Sequence, residues 1–308
     1  MDVLEDALRL YGARGSVGVR LEAGGVWGVW VETYPGAALH LVAEGEVWLE
    51  VPGRPSLRVG AGGAVLLPAG TPHGLAWRAG ARMGACDRET AAAAQAAGAV
   101  LRLGTGEVDT RLLTVHYEQD SALGAPLFPG PVHVAAGEGP RLAATIALLS
   151  AELGEPQVGT TAAVNSLVDL VLVQFARAWL RARPAEGAGP WLSGLQDPVV
   201  RDALTRLHHR PAHPWTTAGL ATEISVSRAT LSRRFPAALG EPPAAYLTRL
   251  RMELAAVRLR DTDEPVESIA SAVGYGSPKA FSRAFQRVRG QAPGEYRTST
   301  RALQVVSR

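Results

Sequence analysis

The final third of the chain repeats one pattern of hydrophobic and polar positions. Residues 227–235 align with residues 277–285 at a constant offset of 50, and both segments carry Ser, a hydrophobic residue, Ser, Arg and Phe in the same order. The same offset relates three further pairs: Gly240 and Gly290, Pro243 and Pro293, and Tyr246 and Tyr296. Self-similarity at a fixed period indicates that one supersecondary unit is used twice.

Each repeat is predicted to be two short helices joined by a tight turn. In the second copy, residues 266–273 place apolar side chains at helical spacing, and Gly274 follows where a glycine ends a helix. Ser277 is a favourable N-cap for the next helix, in which Phe281 and Phe285 are four residues apart and share the buried face. The pattern is that of a helix–turn–helix, present twice.

The outward faces of the second helices are predicted to carry donor side chains. These positions, in the first repeat and then in the second, are Ala229, Ser232 and Arg233, then Lys279, Ser282 and Arg283. Arginine can chelate guanine O6 and N7 in the major groove, so both faces are candidate DNA-reading surfaces. The alternative for one copy is an ordinary solvated helix face, and the same outward pattern in two copies weakens that interpretation.

The segment between the repeats is predicted to be a single helix from Pro242 to about Arg260. A helix of ~18 residues spans ~27 Å, a little less than one turn of B-DNA, ~34 Å. We therefore expect this helix to set the two reading faces into successive major grooves. Arg228, Arg234 and Arg251 are weaker candidates, for contacts with phosphate.

Residues from about 197 to 298 resemble the DNA-binding domain of the AraC family of transcriptional regulators. The resemblance is carried by residues spread over both repeats: Leu220-Ala221, Ser227-Arg228, Leu231, Arg233-Arg234-Phe235, Gly240, Pro243, Tyr246-Leu247, Arg251-Met252, Ile269-Ala270, Val273-Gly274-Tyr275, Phe281-Ser282-Arg283, Gly290, Pro293 and Tyr296-Arg297. It implies that the outward residues of both recognition helices touch double-stranded DNA. The sequence departs from the family pattern at Ser225, where a turn glycine is common, and at Leu250, where a tryptophan is common. Ala229 offers DNA only a methyl group.

From Val17 to about Val134, short β-branched and aromatic runs alternate with glycine-rich turns, which predicts an antiparallel sandwich or barrel. The runs 40–48 and 67–73 are similar to motifs of the cupin barrel, and this resemblance covers about residues 8–130. The expected fold class is therefore α+β in two domains. The N-terminal domain is a cupin-like antiparallel β-barrel with helices, and the C-terminal domain is an all-α double helix-turn-helix.

The remaining segments set the expected domain boundaries. Residues 3–11 have the spacing of a short amphipathic helix, and the alanine-rich residues 89–99 are either a flexible loop or a short helix. Residues 141–153 and 161–183 carry the apolar stripes of two helices, which we expect to pair two copies of the chain; the alternative is a helix pair within one chain. The boundaries are a barrel at 1–135, a helical dimerisation segment at 136–183, a linker at 184–196, a DNA-binding domain at 197–298 and a tail at 299–308.

The mouth of the barrel is the expected ligand site, because small-molecule sites are concave and largely apolar. Its candidate residues are two histidines and three tryptophans: His40, Trp48, His73, Trp77 and Trp30. His40, Glu44 and His73, with His116 farther along, also suggest a divalent metal, since imidazoles and a carboxylate can hold zinc or iron. We favour the interpretation in which His40 and His73 are hydrogen-bonded parts of the barrel wall, and we expect no cofactor.

Charge differs between the two halves. Residues 197–308 hold 17 Lys+Arg and 10 Asp+Glu, a net +7, whereas residues 1–196 hold 14 and 19, a net −5. A basic half that contains helix–turn–helix units is typical of nucleic-acid binding. Lys279 is the only lysine of the chain, and it lies on the outward face of the second recognition helix.

The sequence also excludes some classes of protein. One cysteine, Cys86, excludes a disulfide framework or a cysteine-rich zinc site within one chain. The first residues are acidic and lack a long apolar core, and no run of 18 apolar residues occurs, so we expect a cytoplasmic protein without a membrane span.

The favoured function is a ligand-responsive transcriptional regulator that is not an enzyme. Its expected partners are double-stranded DNA, an unidentified small-molecule effector and a second copy of the chain, with RNA polymerase as a further candidate. One alternative is a metal-dependent cupin enzyme fused to a DNA-binding module. Another is an RNA-binding or scaffolding protein, which paired helix–turn–helix units disfavour because side chains cannot read the deep, narrow major groove of A-form RNA.

Overall fold

A computed structural model describes residues 14–34, 36–118, 128, 130–182 and 194–306. These residues fall into two compact units, one within 14–182 and the other within 194–306. The predicted helix at 3–11 and most of the predicted linker at 184–196 lie outside the described residues.

The N-terminal unit contains two β-sheets. Its strands are β1 Arg14–Gly24, β2 Gly28–Val31, β3 Ala37–Glu44, β4 Glu46–Glu50, β5 Leu57–Gly60, β6 Ala64–Leu67, β7 His73–Ala76, β8 Gly84–Ala85, β9 Val100–Gly104, β10 Thr110–Glu118 and β11 Val132–Val134. One sheet has the order β11-β6-β3-β10-β1-β9 and the other β5-β4-β7-β2-β8. The edge strands β9 and β8 pair in parallel with β1 and β2, and the other pairs between described strands are antiparallel, as the sequence predicted.

The alternation of side chains decides what each strand contributes. In β4, Val47 and Leu49 are buried inside, whereas Trp48 points to the opposite face. Strand β3 is buried on both faces. His40 and Val42 face the space between the sheets, and the neighbouring positions face the other way, toward a helix that packs on this sheet.

Three α-helices accompany the sheets in the described part of this unit: α1 Arg88–Ala96, α2 Pro140–Gly154 and α3 Thr160–Ala182. The alanine-rich segment is therefore a helix, one of the two expected alternatives. Helix α2 buries Leu142, Ile146 and Leu149, and α3 carries a buried stripe that ends at Trp179. The Oη of Tyr117 in β10 donates a hydrogen bond of 3.0 Å to the Val168 carbonyl, which fixes α3 against the sheet.

Helix α3 also meets the length and composition of a membrane-crossing helix. Its most apolar 18-residue window has a mean hydropathy of 1.3, and half of that window is buried inside the unit. A core helix of a folded domain passes the same test, and the packing of α3 against β1 and α2 is of that kind.

The C-terminal unit is helical in all its described elements. They are α4 Pro198–His209, α5 Thr217–Glu223, α6 Arg228–Leu239, α7 Pro243–Asp261, α8 Val266–Ala272, α9 Pro278–Arg289 and α10 Pro293–Val306. The long connecting helix predicted between the repeats is α7, with 19 residues. The segment 299–306 was predicted to be a tail, but it continues α10 instead.

The ends of the recognition helices repeat the same local chemistry. Ser227 and Ser277 are N-caps, and their hydroxyls accept from the backbone N–H of the residue three positions on. Gly240 and Gly290 end the two helices in the left-handed region, at φ 76° and 74°, which a glycine adopts without steric cost.

Each repeat has its own apolar core around an edge-to-face pair of rings. Phe235 and Tyr246 have ring centroids 5.7 Å apart at 81°, and Phe285 and Tyr296 have centroids 5.4 Å apart at 76°. Helix α7 packs against the helices of both repeats. The internal repeat of the sequence is therefore a repeat of packing as well.

Candidate functional sites

The second recognition helix, α9, presents the side chains that the sequence predicted. Lys279 and Arg283 are exposed and Ser282 is half-buried, while Phe281 and Phe285 on the other side are fully buried. Within the described part of the chain, neither Lys279 nor Arg283 has a carboxylate partner. The cationic groups of this face are therefore available to an external anion.

The first recognition helix, α6, has the same orientation with a different surface. Arg228, Ala229, Ser232 and Arg233 are all exposed, and Leu231 with Phe235 forms the buried side. Pro236 lies inside this helix. Because proline has no backbone N–H, the Ser232 carbonyl has no intrahelical donor four residues on.

Arg234 has a protein partner that the sequence analysis missed. Its Nε donates to Oδ2 of Asp197 at 2.8 Å, and Oδ1 of the same aspartate caps α4 by accepting from Val199 N–H at 2.9 Å. Arg234 therefore joins the first recognition helix to the start of α4. Its expected phosphate contact would have to use its remaining N–H groups.

Arg251 is likewise engaged within the protein. Its Nε donates to the Pro211 carbonyl at 2.7 Å and its Nη2 to the His213 carbonyl at 2.9 Å, with the guanidinium 5.8 Å from the Tyr275 ring centroid. These contacts hold the loop before α5 against α7. They leave Arg251 poorly placed for the phosphate contact that the sequence suggested.

The N-terminal unit contains a cavity of about 310 Å³ between its two sheets. Most of its wall is aliphatic: Val19, Leu21, Val29, Val31, Ala38, Leu75, Leu101 and Leu112. One polar wall of the cavity comes from β3, β7 and β10, which contribute His40, His73, Thr114 and His116. The pairing of β3 with β10 places Thr114 directly opposite His40.

A chain of hydrogen bonds crosses the polar wall. Nδ1 of His40 lies 3.0 Å from Oγ1 of Thr114, and Nε2 of His40 lies 3.0 Å from Nε2 of His73. Nδ1 of His73 lies 2.9 Å from the carbonyl oxygen of Thr71. A carbonyl oxygen can only accept, so His73 carries its proton on Nδ1 and accepts through Nε2. His40 then donates through Nε2 and accepts from the Thr114 hydroxyl.

All three imidazoles are held in the neutral form. Burial lowers the pKa of His40 well below its usual value, and the neighbouring His73 and His116 lower it further. Burial also lowers the pKa of His73, opposed by its hydrogen bond to Thr71. The pKa of His116 falls to about 4 through burial and then the proximity of His73. The polar wall thus carries no charge near neutral pH.

His116 extends the polar wall with an aromatic surface. Its ring stacks on Tyr34 with centroids 3.9 Å apart and an interplanar angle of 20°. Its Nδ1 is buried and has no hydrogen-bond partner among the described residues. The sequence named His116 only as a possible metal ligand farther along the chain from His40, and the structure brings it to the same cavity.

Helix α1 covers one side of the cavity with Arg88, Ala91, Ala92 and Gln95. The helix buries no residue of its own. Polar contacts hold it in place: Nη2 of Arg88 donates to the Thr33 carbonyl at 2.5 Å, and Nε2 of Gln95 donates to the Val17 carbonyl at 3.2 Å. The cavity wall formed by α1 therefore has little apolar anchoring.

The donor set at the histidine pair does not match a metal centre. No group of three or more His, Cys, Asp or Glu side chains in the described residues is arranged to hold an ion. Glu44, which the sequence grouped with His40, is exposed and forms an ion pair with Arg111 on the outer face of the sheet. The second nitrogen of each paired imidazole already has a hydrogen-bond partner.

The sequence of each unit matches a known family. The cupin family profile matches residues 2–181, and a helix-turn-helix domain profile matches residues 220–299. A putative AraC-like transcription regulator of Streptomyces antibioticus is 37% identical over 306 residues, covering 96% of this chain and 98% of the relative. This chain belongs to the AraC-like transcription regulators.

Two further comparisons extend this result. The HTH-type transcriptional regulator MtrA of Neisseria gonorrhoeae is 29% identical over 96% of this chain and 98% of its own length. Among solved structures, the DNA-binding domain of AdpA in complex with a target DNA is 30% identical, with a TM-score of 0.33, and the match covers 35% of this chain and 97% of that one.

In this AraC-like regulator, only part of the predicted pocket lines the cavity. His40 and His73 do, but Trp30, Trp48 and Trp77 do not. Trp30 and Trp48 alternate with inward residues of their strands, so they point to the opposite face, and Trp77 follows the end of β7 and packs on the edge of the apolar core. The tryptophan predictions were wrong because aromatic content does not reveal the register of a strand.

The cavity is also lined by Thr114, which the sequence did not single out, and by His116, which it named only as a possible metal ligand. Thr114 and His116 lie far from His40 along the chain and reach it only through the pairing of β10 with β3. The signal available in the sequence was the alternation of Leu112, Thr114 and His116 at every second position, which places all three on one face of a strand.

Proposed function

We propose that this protein is a ligand-responsive regulator that binds specific sites in double-stranded DNA through two recognition helices in successive major grooves. The observation that carries the proposal is the repeated outward presentation of Ser232 with Arg233 and of Ser282 with Arg283, on helices whose opposite faces are fully buried. A serine and an arginine on an exposed helix face suit base edges.

The length of α7 supports simultaneous contact by both helices. Its 19 residues correspond to about 29 Å at the rise of an α-helix, close to the ~34 Å between successive major grooves on one side of B-DNA. The net charge of +7 on residues 197–308 supports attraction to the phosphate backbone.

The cavity of the N-terminal unit is the proposed effector site. Its volume of about 310 Å³ lies in the range of small-molecule sites, and its wall is mostly apolar with a few polar groups. An effector changes DNA binding only if it binds one state of the protein better than the other. We infer that the effector acts in this way from the cavity.

We further infer that two copies associate through α2 and α3 and that the regulator acts in the cytoplasm, with RNA polymerase as a candidate partner. Support for association comes from apolar side chains left at the surface of these helices. Leu148 is 59% exposed and Leu170 is 39% exposed. The small number of possible metal ligands around His40 and His73 favours a regulator over a metal-dependent cupin enzyme.

The proposed DNA contact is tested by the substitution Arg283→Ala, measured by fluorescence anisotropy with a labelled cognate duplex. Loss of a bidentate contact with guanine should cost about 1–3 kcal/mol and relax the preference at one base pair. Arg201→Ala is the matched control, because Arg201 is also exposed but lies on α4, which is not a recognition helix. It should retain the wild-type affinity and preference.

Equal weakening on every duplex sequence would assign Arg283 to phosphate instead of a base. Unchanged affinity of Arg283→Ala, or failure of the wild-type protein to bind duplex DNA at low salt, would contradict the proposed function.

A further inference from the structure

We propose that the barrel cavity selects an uncharged, largely apolar molecule of about two fused rings that donates one hydrogen bond, through a hydroxyl or N–H group, to Oγ1 of Thr114. The inference deepens the proposed function and rests on the cavity being its effector site. Three features of the cavity support it: the direction of the hydrogen-bond chain, the neutral form of the histidines on the polar wall, and the cavity volume.

The direction of the hydrogen-bond chain decides which of its own polar groups is left for a ligand; outside the chain, Nδ1 of His116 is also buried without a partner among the described residues. The Thr71 carbonyl accepts from Nδ1 of His73, so His73 accepts through Nε2 from Nε2–H of His40. Nδ1 of His40 then accepts a hydrogen bond from the Thr114 hydroxyl. Both imidazoles of this chain then have both ring nitrogens occupied. The Thr114 oxygen keeps its lone pairs, so at this point the wall offers an acceptor and calls for a donor on the ligand.

The surroundings disfavour a charged ligand. A carboxylate placed against the neutral His40–His73 pair would lose its hydration, and the pair has no positive charge to compensate that loss. The nearest guanidinium among the cavity residues, that of Arg88, already donates to the Thr33 carbonyl at 2.5 Å and lies 3.3 Å from the Thr33 hydroxyl. A cationic ligand would meet no carboxylate among the described residues, because none of those that line the cavity is Asp or Glu.

The volume and shape set the size of the ligand. An apolar cavity of ~150 Å³ is enough to hold benzene, so about 310 Å³ accommodates roughly two such rings. The stacked pair of Tyr34 and His116 gives the space one flat aromatic side, against which a planar molecule can lie in offset contact.

The experiment is calorimetric titration of the full-length protein with three probes of the same ring size: 1-naphthol, naphthalene and naphthalene-1-carboxylate. We expect 1-naphthol to bind most tightly. Naphthalene lacks the donor and should bind about three- to tenfold more weakly. The carboxylate should bind at least about tenfold more weakly at pH 7.5. A carboxylate that matches 1-naphthol, or naphthalene that matches it, would overturn the proposal.

Two pairs of variants place the binding in the cavity. Ala91→Trp fills the space from α1, and Ala93→Trp puts the same ring on an exposed position of that helix outside the cavity. The first should abolish 1-naphthol binding and the second should retain it. Thr114→Val should reduce affinity about three- to tenfold, whereas Thr114→Ser keeps the hydroxyl and should restore it. Unchanged binding in Ala91→Trp contradicts the assigned site.

Duplex binding by the same preparations separates this proposal from the function on which it rests. If the protein binds duplex DNA but not 1-naphthol, the proposed ligand class is wrong, whereas the proposed function as a DNA-binding regulator stands. If the protein binds 1-naphthol in the cavity but its affinity for DNA does not change at saturation, the ligand class stands and the cavity is not an effector site.

Discussion

The two helix–turn–helix units of the C-terminal domain share a core and differ at their surfaces. Both pack a phenylalanine edge-on against a tyrosine at nearly the same distance, and both recognition helices begin at serine and end at a left-handed glycine. The outward position occupied by Lys279 in the second unit is Ala229 in the first. The part of the repeat that builds the fold is thus duplicated, whereas the outward face proposed to contact DNA differs between the two copies.

The turns between the two helices of each unit differ in the same sense. Ser225 in the first turn has φ 58° and Gly274 in the second has φ 86°. A Cβ at Gly274 would lie 2.5 Å from the carbonyl oxygen of Ala212. The second turn needs glycine for space as well as conformation, whereas the first tolerates a side chain at a conformational cost.

The largest effects on stability are expected from substitutions in the two equivalent cores. Phe235→Ala and Phe285→Ala each remove a fully buried ring and should each lower the free energy of unfolding by about 3–5 kcal/mol. Urea unfolding followed by far-UV circular dichroism measures both. A difference of more than about 2 kcal/mol between them would show that the cores are not equivalent.

The histidine contribution to acid sensitivity should belong to the first helix–turn–helix unit. His208 lies 2.7 Å from the Tyr246 hydroxyl, and burial, followed by Arg249 and His209, lowers its pKa to about 4. A histidine with a depressed pKa in the folded state contributes its full stability above the unfolded pKa of about 6.5, and this contribution falls as pH drops toward 4. The second unit, residues 262–308, contains no histidine.

The substitution His208→Gln measures that contribution. Between pH 7 and pH 4.5 the wild-type protein should lose about 2–3 kcal/mol more stability than the variant, because only the wild type takes up this proton on unfolding. If the stabilities of the two proteins change in parallel with pH over this range, His208 is not the cause of the acid sensitivity.

The difference between the two turns predicts opposite effects on stability: replacing the glycine of the second turn should destabilise the protein, and introducing a glycine into the first turn should stabilise it. Gly274→Ala should cost about 2–3 kcal/mol, since the methyl group meets the Ala212 carbonyl and the backbone is left-handed. Ser225→Gly should stabilise the first unit by about 0.5–1 kcal/mol. Thermal unfolding of both variants beside the wild type is sufficient, and a stabilising Gly274→Ala would refute the steric argument.

The smallest effect, on DNA affinity, is expected from exchanging the residues that differ at the outward position, Lys279 and Ala229. Lys279→Ala should weaken duplex binding by about 1 kcal/mol on all sequences and reduce the slope of log K against log salt by about one. The reciprocal change, Ala229→Lys, should add a cation to the first face and strengthen binding by a similar amount. If neither variant changes the salt slope, the lysine position does not contact the backbone of DNA.

Much of the C-terminal domain could be predicted from the sequence, because each of its signals is local. Capping serines, terminal glycines and buried pairs four residues apart are all read within a few positions. The roles of Arg234 and Arg251 could not be predicted in this way. Their partners, Asp197 and the carbonyls of Pro211 and His213, are brought to them by tertiary packing.

The barrel was less predictable for a related reason. Its strand content followed from composition, but the identity of the cavity residues depends on register and on pairing between distant strands. Trp30 and Trp48 were misplaced by one position of alternation, and Thr114 joins His40 across 74 residues. A short strand with a mixed pattern, such as β2, gives no local rule for deciding which face is inside.

The exposed side chain of Lys279 has a practical consequence. The protein has one side-chain amine, and this amine stands on the face of α9 that is assigned to DNA. A reagent that acylates amines at a pH where lysine reacts can therefore modify a single side chain, apart from the α-amino group. Protection of that one position by duplex would report occupancy of the second recognition helix without any engineered label.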